Sequence, residues 1–371
     1  MGNRGDRRNR ENRGNWEIGR IGLSQTALKL LFNGFPIGKN SNTGLCKESI
    51  NLSTKKFTKG TQQLFDNLKI RYLVFIVLIG LFSVSSASGQ GCSDAGACSI
   101  SSLNFSGDSV SKNSRVHFSV EQSFGLGEKF ILISQTTASI EYRIFKSTLF
   151  ELRTPFIFTY GNLGQTSGVG DLILSLNQRL FRKDKEQLRL LVAGRLKSNN
   201  ADFSFNGEPL PMAYQTSLGT YDAIFGLLYI IPKWDFYAAY QHSFGRNKNG
   251  YLVTDTTLPD SKKYFESAQL KRGDDVYLRV RRELAFKNRS SLILTLMTIY
   301  RLQKDEIIKN NEPVLLDGSQ GLTLNLGFTW SKKMKSGQTM DLVLAFPVID
   351  KAYRADGLTR NVVVSIRFSN L

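Results

Sequence analysis

Apolar side chains recur at every second position over long stretches of this chain, and that pattern restricts its fold more than any other feature. Leu322, Leu324, Leu326, Phe328 and Trp330 alternate with Thr323, Asn325, Gly327 and Thr329. Met340, Leu342, Leu344 and Phe346 alternate with Thr339, Asp341, Val343 and Ala345, and Val362, Val364, Ile366 and Phe368 with Val363, Ser365 and Arg367. A strand sends successive side chains to opposite faces, so each segment presents one apolar and one more polar face. About twelve segments carry the signal, near 116–125, 130–145, 147–160, 168–181, 186–198, 218–231, 233–246, 274–287, 290–303, 320–332, 338–347 and 361–369. Many are much longer than the roughly 5–6 residues of an average globular strand and reach the roughly 9–11 that a tilted strand needs to cross a bilayer.

The connections sharpen this. In chain order they alternate longer with shorter: 125–130, 160–168, 198–218, 246–274, 303–320 and 347–361 against 145–147, 181–186, 231–233, 287–290 and 332–338. Barrels of the outer membrane have an even strand number, short turns at one end and long loops at the other. A soluble sandwich has no reason to sort its loops so. The fold expected is therefore all-β, a transmembrane antiparallel up-and-down β-barrel of about 12 strands over residues 116–371. Lipid offers no partner to an unpaired strand edge, so the sheet must close. Twelve strands enclose more room than the eight whose own side chains fill a barrel, so a lumen is expected, with loops able to fold into it. Tyr160, Tyr229, Trp234, Tyr300 and Trp330, at strand ends, suit interfacial girdles, and Phe368 near the terminus suits recognition by a barrel-assembly machinery.

A short apolar run, Tyr72 to Phe82, precedes the barrel. It falls below the roughly 17–25 residues of a membrane helix. Lys69 and Arg71 stand before it, and Ser83, Ser85, Ser86, Ala87, Ser88 and Gly89 after it. A positive start, an apolar middle and a small-residue end make a secretory signal peptide at 70–89, cut after Gly89. Residues 1–69 are polar and charged, and read as an over-extended start or a disordered leader. Residues 90–115 would form a periplasmic segment, in which Cys92 and Cys98 would pair in an oxidising compartment; the alternative is a pair of free or metal-binding thiols. The formal net charge is +18, and half of it lies in residues 1–89. With that segment removed no dense basic run remains, and a nucleic-acid partner is not expected.

Alternation also assigns charges to the inward face: Glu141 and Arg143, Glu151 and Arg153, Arg179, then Arg189, Arg195 and Lys197, then Arg279, Arg281 and Glu283, and Arg367. Such an excess of cations focuses potential favourable to anionic solutes; the plainer reading is a network of Arg–Glu pairs that solvates the interior. Arg282 falls instead on the lipid face with Val276, Leu278 and Val280, where a midplane position would cost roughly 2–4 kcal/mol and an interfacial one close to nothing.

Chemistry finds little support. His242 and Ser243 are adjacent, so they point to opposite faces and cannot form a nucleophile–base pair as in barrel phospholipases. The "GVGD" at 168–171 lacks the remainder of a dinucleotide fingerprint. No catalytic residue, cofactor or metal site is expected. The long loops "GEPLPMAYQTSLGTYDAIFGLLY" (207–229, which runs on into a strand) and "RNKNGYLVTDTTLPDSKKYFESAQLKRG" (246–273) are the best places for constriction or ligand contact.

At these residues the chain resembles a known group. "SGVGDLILSLNQRLF" followed by "MAYQTSLGTYDAIFGLLY" resembles outer-membrane transporters related to the meta-pathway phenol-degradation barrel family, and "GCSDAGAC" is similar to the same region of uncharacterised barrels of the Bacteroidetes type. The resemblance covers most of residues 90–371 through loose motifs. It implies an outer-membrane channel or transporter for hydrophobic or aromatic small molecules, and carries over no catalytic residue. The expectation is a channel for small solutes, embedded in outer-membrane lipid; the alternatives are a non-conducting structural or binding barrel with its lumen plugged by the two long loops, and a barrel lipase.

Overall fold

A computed structural model describes residues 115–254, 257, 259–357 and 360–370. The expected leader, signal peptide and Cys92–Cys98 segment lie outside the described residues.

Twelve antiparallel strands form one closed barrel. They are β1 (Val116–Gly127), β2 (Leu132–Phe145), β3 (Thr148–Gly161), β4 (Gly164–Val169 and Leu172–Lys183), β5 (Glu186–Leu196), β6 (Tyr221–Ile231), β7 (Trp234–Phe244), β8 (Asp275–Ala285), β9 (Ser290–Arg301), β10 (Gly321–Lys333), β11 (Thr339–Ile349) and β12 (Arg360–Ser369). Each pairs with the next in sequence, and the ring shuts where β1 meets β12, with Val120 opposite Phe368 and Glu121 opposite Arg367. Among the described residues this closure joins the first and last strands, so the ring itself presents no open edge to lipid, as a hydrocarbon environment requires.

Alternation decides the faces. Phe124, Phe156, Phe225, Leu278, Leu296, Phe328 and Val364 are exposed outward, while their neighbours along the strands face inward and are buried or half-buried. All five girdle aromatics are exposed as well. Trp234 and Trp330 stand towards the short-turn end, Tyr160 and Tyr300 towards the long-loop end, and Tyr229 at the short-turn end donates to Glu186. Arg282 stays on the outer face opposite Trp234, its guanidinium 5.0 Å from the centre of that indole ring. The cation rests on an aromatic of the interfacial belt, an attractive geometry that replaces part of its hydration.

Two expectations need correction. The segment 160–168 is not a long loop: β3 and β4 run on as a hairpin to Gly161 and Gly164, and the irregularity comes later, at Gly170–Asp171, where β4 is broken. Nor is the inside uniformly wetted. Ile173, Leu191, Ile224, Leu228, Tyr237, Tyr277, Met297 and Ile299 form a buried apolar cluster on the inward side of β4 to β9.

The remaining connections are L1 (128–131), L2 (162–163), L3 (197–220), L4 (245–274), L5 (302–320) and L6 (350–359). L3 carries the small hairpin Ser204–Phe205 with Glu208–Pro209, and L5 the hairpin Glu306–Lys309 with Glu312–Leu315. These loops build cores of their own. Ala201, Met212 and Leu218 of L3 pack with Leu270 of L4, Ile307 and Leu316 of L5 and Ala355 of L6. Leu210, Ala213 and Tyr214 of L3 pack with Tyr251 and Tyr264 of L4, and with Ile131, Ile133 and Ile157 of L1, β2 and β3.

Candidate functional site: a capped, charge-lined mouth

The break in β4 is where the cap meets the wall. Every residue from Leu210 to Thr220 is buried, an unusual run for a loop. Asp171, at the break, accepts the backbone N–H groups of Ser198 (3.1 Å) and Leu218 (3.0 Å), and so pins L3 at two points. Thr166 Oγ1 donates to the Tyr214 carbonyl, and the Tyr214 hydroxyl accepts the Leu163 N–H and meets the Tyr264 hydroxyl. Asn249 in L4 donates to the carbonyls of Ala201 and Leu210, Asn247 donates to that of Leu218, and the Lys248 N–H reaches Asn200. The backbone groups that a loop would expose to water are thus satisfied by neighbouring loops, which is what allows its burial.

Ion pairs fasten the other loops. Arg301, at the end of β9, holds Asp275 of β8 (2.9 Å), Asp305 of L5 (2.7 Å) and Asp356 of L6 (3.0 Å). Arg272 of L4 holds Asp222 of β6 (3.0 Å) and Asp275 (3.5 Å). Burial opposes charge on Arg272, but Asp222 outweighs it and the guanidinium is held well above its usual range. Burial pushes the Asp305 carboxyl up, against the pull of Arg301, and pushes the Lys351 ammonium down. In L1, burial raises the Glu128 carboxyl to about 7, with Arg354 of L6 and Lys129 pulling the other way.

Beneath the cap lies a cavity of about 50 Å³. A water needs at least roughly 10–15 Å³ by this measure, so the space takes more than one. Arg153 of β3, Arg195 of β5 and Arg360 of β12 line it, with Asp171 and Asp356, and Ile157, Ile173 and Met212 supply apolar surface. Ladder register explains the grouping: Ile173 of β4 stands opposite both Arg153 and Arg195, so the three side chains lie side by side on the inner wall.

The inward charges read from the sequence fall at several heights. Glu151 and Arg153 are buried together, with Arg153 3.9 Å from Glu151 and 3.7 Å from Glu121. Arg195 is 3.6 Å from Asp222. Arg367 pairs with Asp341 at 2.7 Å. Towards the short-turn end, Arg279 and Arg281 share Asp235 (3.1 and 2.7 Å), and Arg279 also lies over the Tyr237 ring. Arg189 donates to Asn177 (2.6 Å) and faces Arg179 across the ladder; Arg179 donates to the Lys146 carbonyl at the turn. Glu141 and Arg143 are half-buried, and Glu283 is exposed at that rim. Lys197 follows the last residue of β5, and its ammonium binds Asn200 and lies 5.4 Å from the centre of the exposed Tyr221 ring.

The sequence reading passed over the acids that answer these cations: Glu121, Asp222, Asp235, Asp275 and Asp341 on the strands. Alternation was signal enough to place all five inward. The partners from the loops, Asp305 and Asp356, have no such period to reveal them. His242 faces outward and contacts Asp274 (Nδ1–Oδ1 2.7 Å), while Ser243 is turned inward and donates to Thr220; the two never meet.

A closed antiparallel barrel with an apolar outer belt, aromatic girdles, short turns at one end and long loops at the other is an outer-membrane β-barrel. No protein-family model and no curated protein sequence matches the chain. Among solved structures the chain is similar to an outer membrane channel from Pseudomonas putida F1 (14% identity, 69% of this chain and 94% of that one, TM-score 0.47). It is also similar to the NanC porin (10%, 68% and 97%, TM-score 0.40) and to the translocator domain of the autotransporter NalP from Neisseria meningitidis (10%, 77% and 100%, TM-score 0.40).

Proposed function

We propose that the protein is an outer-membrane channel for small solutes, entered through a mouth that the loops cap. The observation that carries this reading is the cavity under L3 and L6, lined on the barrel side by the charged groups of several strands. A protein needing only a scaffold could fill its interior with apolar side chains, as β4 to β9 do here; buried charge is costly, yet it lines the space under the cap. The resemblance of 167–181 and 212–229 to the phenol-degradation transporter barrels supports transport, and export would follow from a signal peptide at 70–89.

A second reading is a non-conducting binding barrel. It is favoured by the number of bonds that hold L3 in place, from Asp171, Asn247 and Asn249. Reconstitution of the purified protein in planar bilayers separates the two. Discrete current steps in concentrated potassium chloride are the expected result, and persistent silence under voltage, from protein shown to be folded, would exclude the channel.

A further inference from the structure

We propose that the cavity beneath the cap is a binding site for a small organic monoanion with an apolar body, such as a short-chain carboxylate; this deepens the channel reading by naming the solute class. Three arginines, Arg153, Arg195 and Arg360, line one space from β3, β5 and β12. A guanidinium offers five N–H donors in a fixed fork that matches a carboxylate, so a wall residue that pairs with a barrel acid can still serve a second acceptor. The two acids lining the space are engaged elsewhere: Asp171 accepts the N–H groups of Ser198 and Leu218, and Asp356 accepts from Arg301. Three arginines against two aspartates leave the lining itself with one positive charge in excess.

The rest of the lining argues against an inorganic anion. Ile173 stands between Arg153 and Arg195 in the ladder, and Ile157 and Met212 supply further apolar lining. A hydrated ion such as phosphate would gain the arginine donors but lose water against those apolar side chains with no return from them. A carboxylate with a few methylenes satisfies both halves, its oxygens on the arginines and its chain on Ile173, Ile157 and Met212. A neutral alcohol of the same length fits only the second half, and acetate only the first.

Each methylene fully buried multiplies affinity by about fourfold, so pentanoate, with three more than acetate, should bind at least about tenfold tighter even if its chain is only partly covered. Titration calorimetry on the intact detergent-solubilised protein with pentanoate, acetate, 1-pentanol and inorganic phosphate tests this. The expected result is binding of pentanoate at least about tenfold tighter than each of the other three. In Arg153→Gln and Arg360→Gln the pentanoate affinity should fall by about tenfold while 1-pentanol is unaffected. Equal affinity for pentanoate and acetate, equal affinity for pentanoate and 1-pentanol, or tighter binding of phosphate would each overturn the proposal, and none of these depends on a variant folding. Currents in bilayers without selective pentanoate binding would sink this site and leave the channel standing. Selective binding without currents would do the reverse.

Discussion

Asp171→Ala is the sharpest perturbation of the cap. The carboxylate stands at the break in β4 and accepts two backbone N–H groups, from Ser198 at 3.1 Å and Leu218 at 3.0 Å. A hydrogen bond to a charged group is worth about 1.5–3 kcal/mol, so losing both removes about 3–6 kcal/mol from docking of L3. At about 1.4 kcal/mol per factor of ten, the ratio of docked to undocked loop falls by at least about a hundredfold. The barrel should persist, because the flanking halves of β4 keep their ladders to β3 and β5. The variant should therefore keep its heat-modifiable migration in detergent gels, while amide hydrogen exchange across 210–220 accelerates and bilayer recordings show longer or larger openings. Asp171→Asn, which retains one acceptor, should fall between. A folded Asp171→Ala barrel whose exchange across 210–220 matches the parent would refute the claim that this carboxylate holds the cap.

Three further outcomes follow from particular contacts. Arg301→Met leaves Asp275, Asp305 and Asp356 without their shared cation; removal of one partner from a buried pair costs about 3–5 kcal/mol, to be read as a lower guanidinium midpoint for the loops than for the barrel. Gly226→Val puts a branched side chain where a Cβ would already come within 2.8 Å of the Tyr237 ring; overpacking of the apolar cluster should cost about 1–3 kcal/mol, lowering the temperature at which the folded band disappears. Docking of L1 should weaken with rising pH. The folded carboxyl of Glu128, raised to about 7 by burial, favours the protonated form, so its stabilisation is complete below about 4.5 and is lost as pH climbs through 7. It shares its surroundings with Arg354, Lys129, Tyr251, Tyr264 and Tyr353; the protection factors of 128–131, that is, exchange divided into the intrinsic base-catalysed rate, should fall between those values in the parent and stay flat in Glu128→Gln.

How much of this was legible in the sequence depends on the range of the interactions. The barrel was readable because a strand in lipid repeats one local rule: Leu322 to Trp330 must alternate whatever the partner strands do. Face follows from the same rule, which is why Glu151, Arg153, Arg195 and Arg367 could be placed inward. The partners that each side chain meets across the ladder do not follow from it. Arg189 and Arg195 lie on one face of β5, yet Arg189 faces the pair of Arg179 and Asn177 towards the short turns, while Arg195 reaches the cavity under the cap. That difference is set by register between strands, which one segment alone does not encode. The cap was still less readable. Leu210 to Thr220 has no period, and its burial is the joint product of Asp171 at a strand break, two asparagines in L4 and the packing of Met212 against residues of L4, L5 and L6. Each partner is ordinary in its own stretch of sequence. What makes L3 a lid is their convergence, through contacts between residues up to more than a hundred positions apart, on a site that no single segment announces.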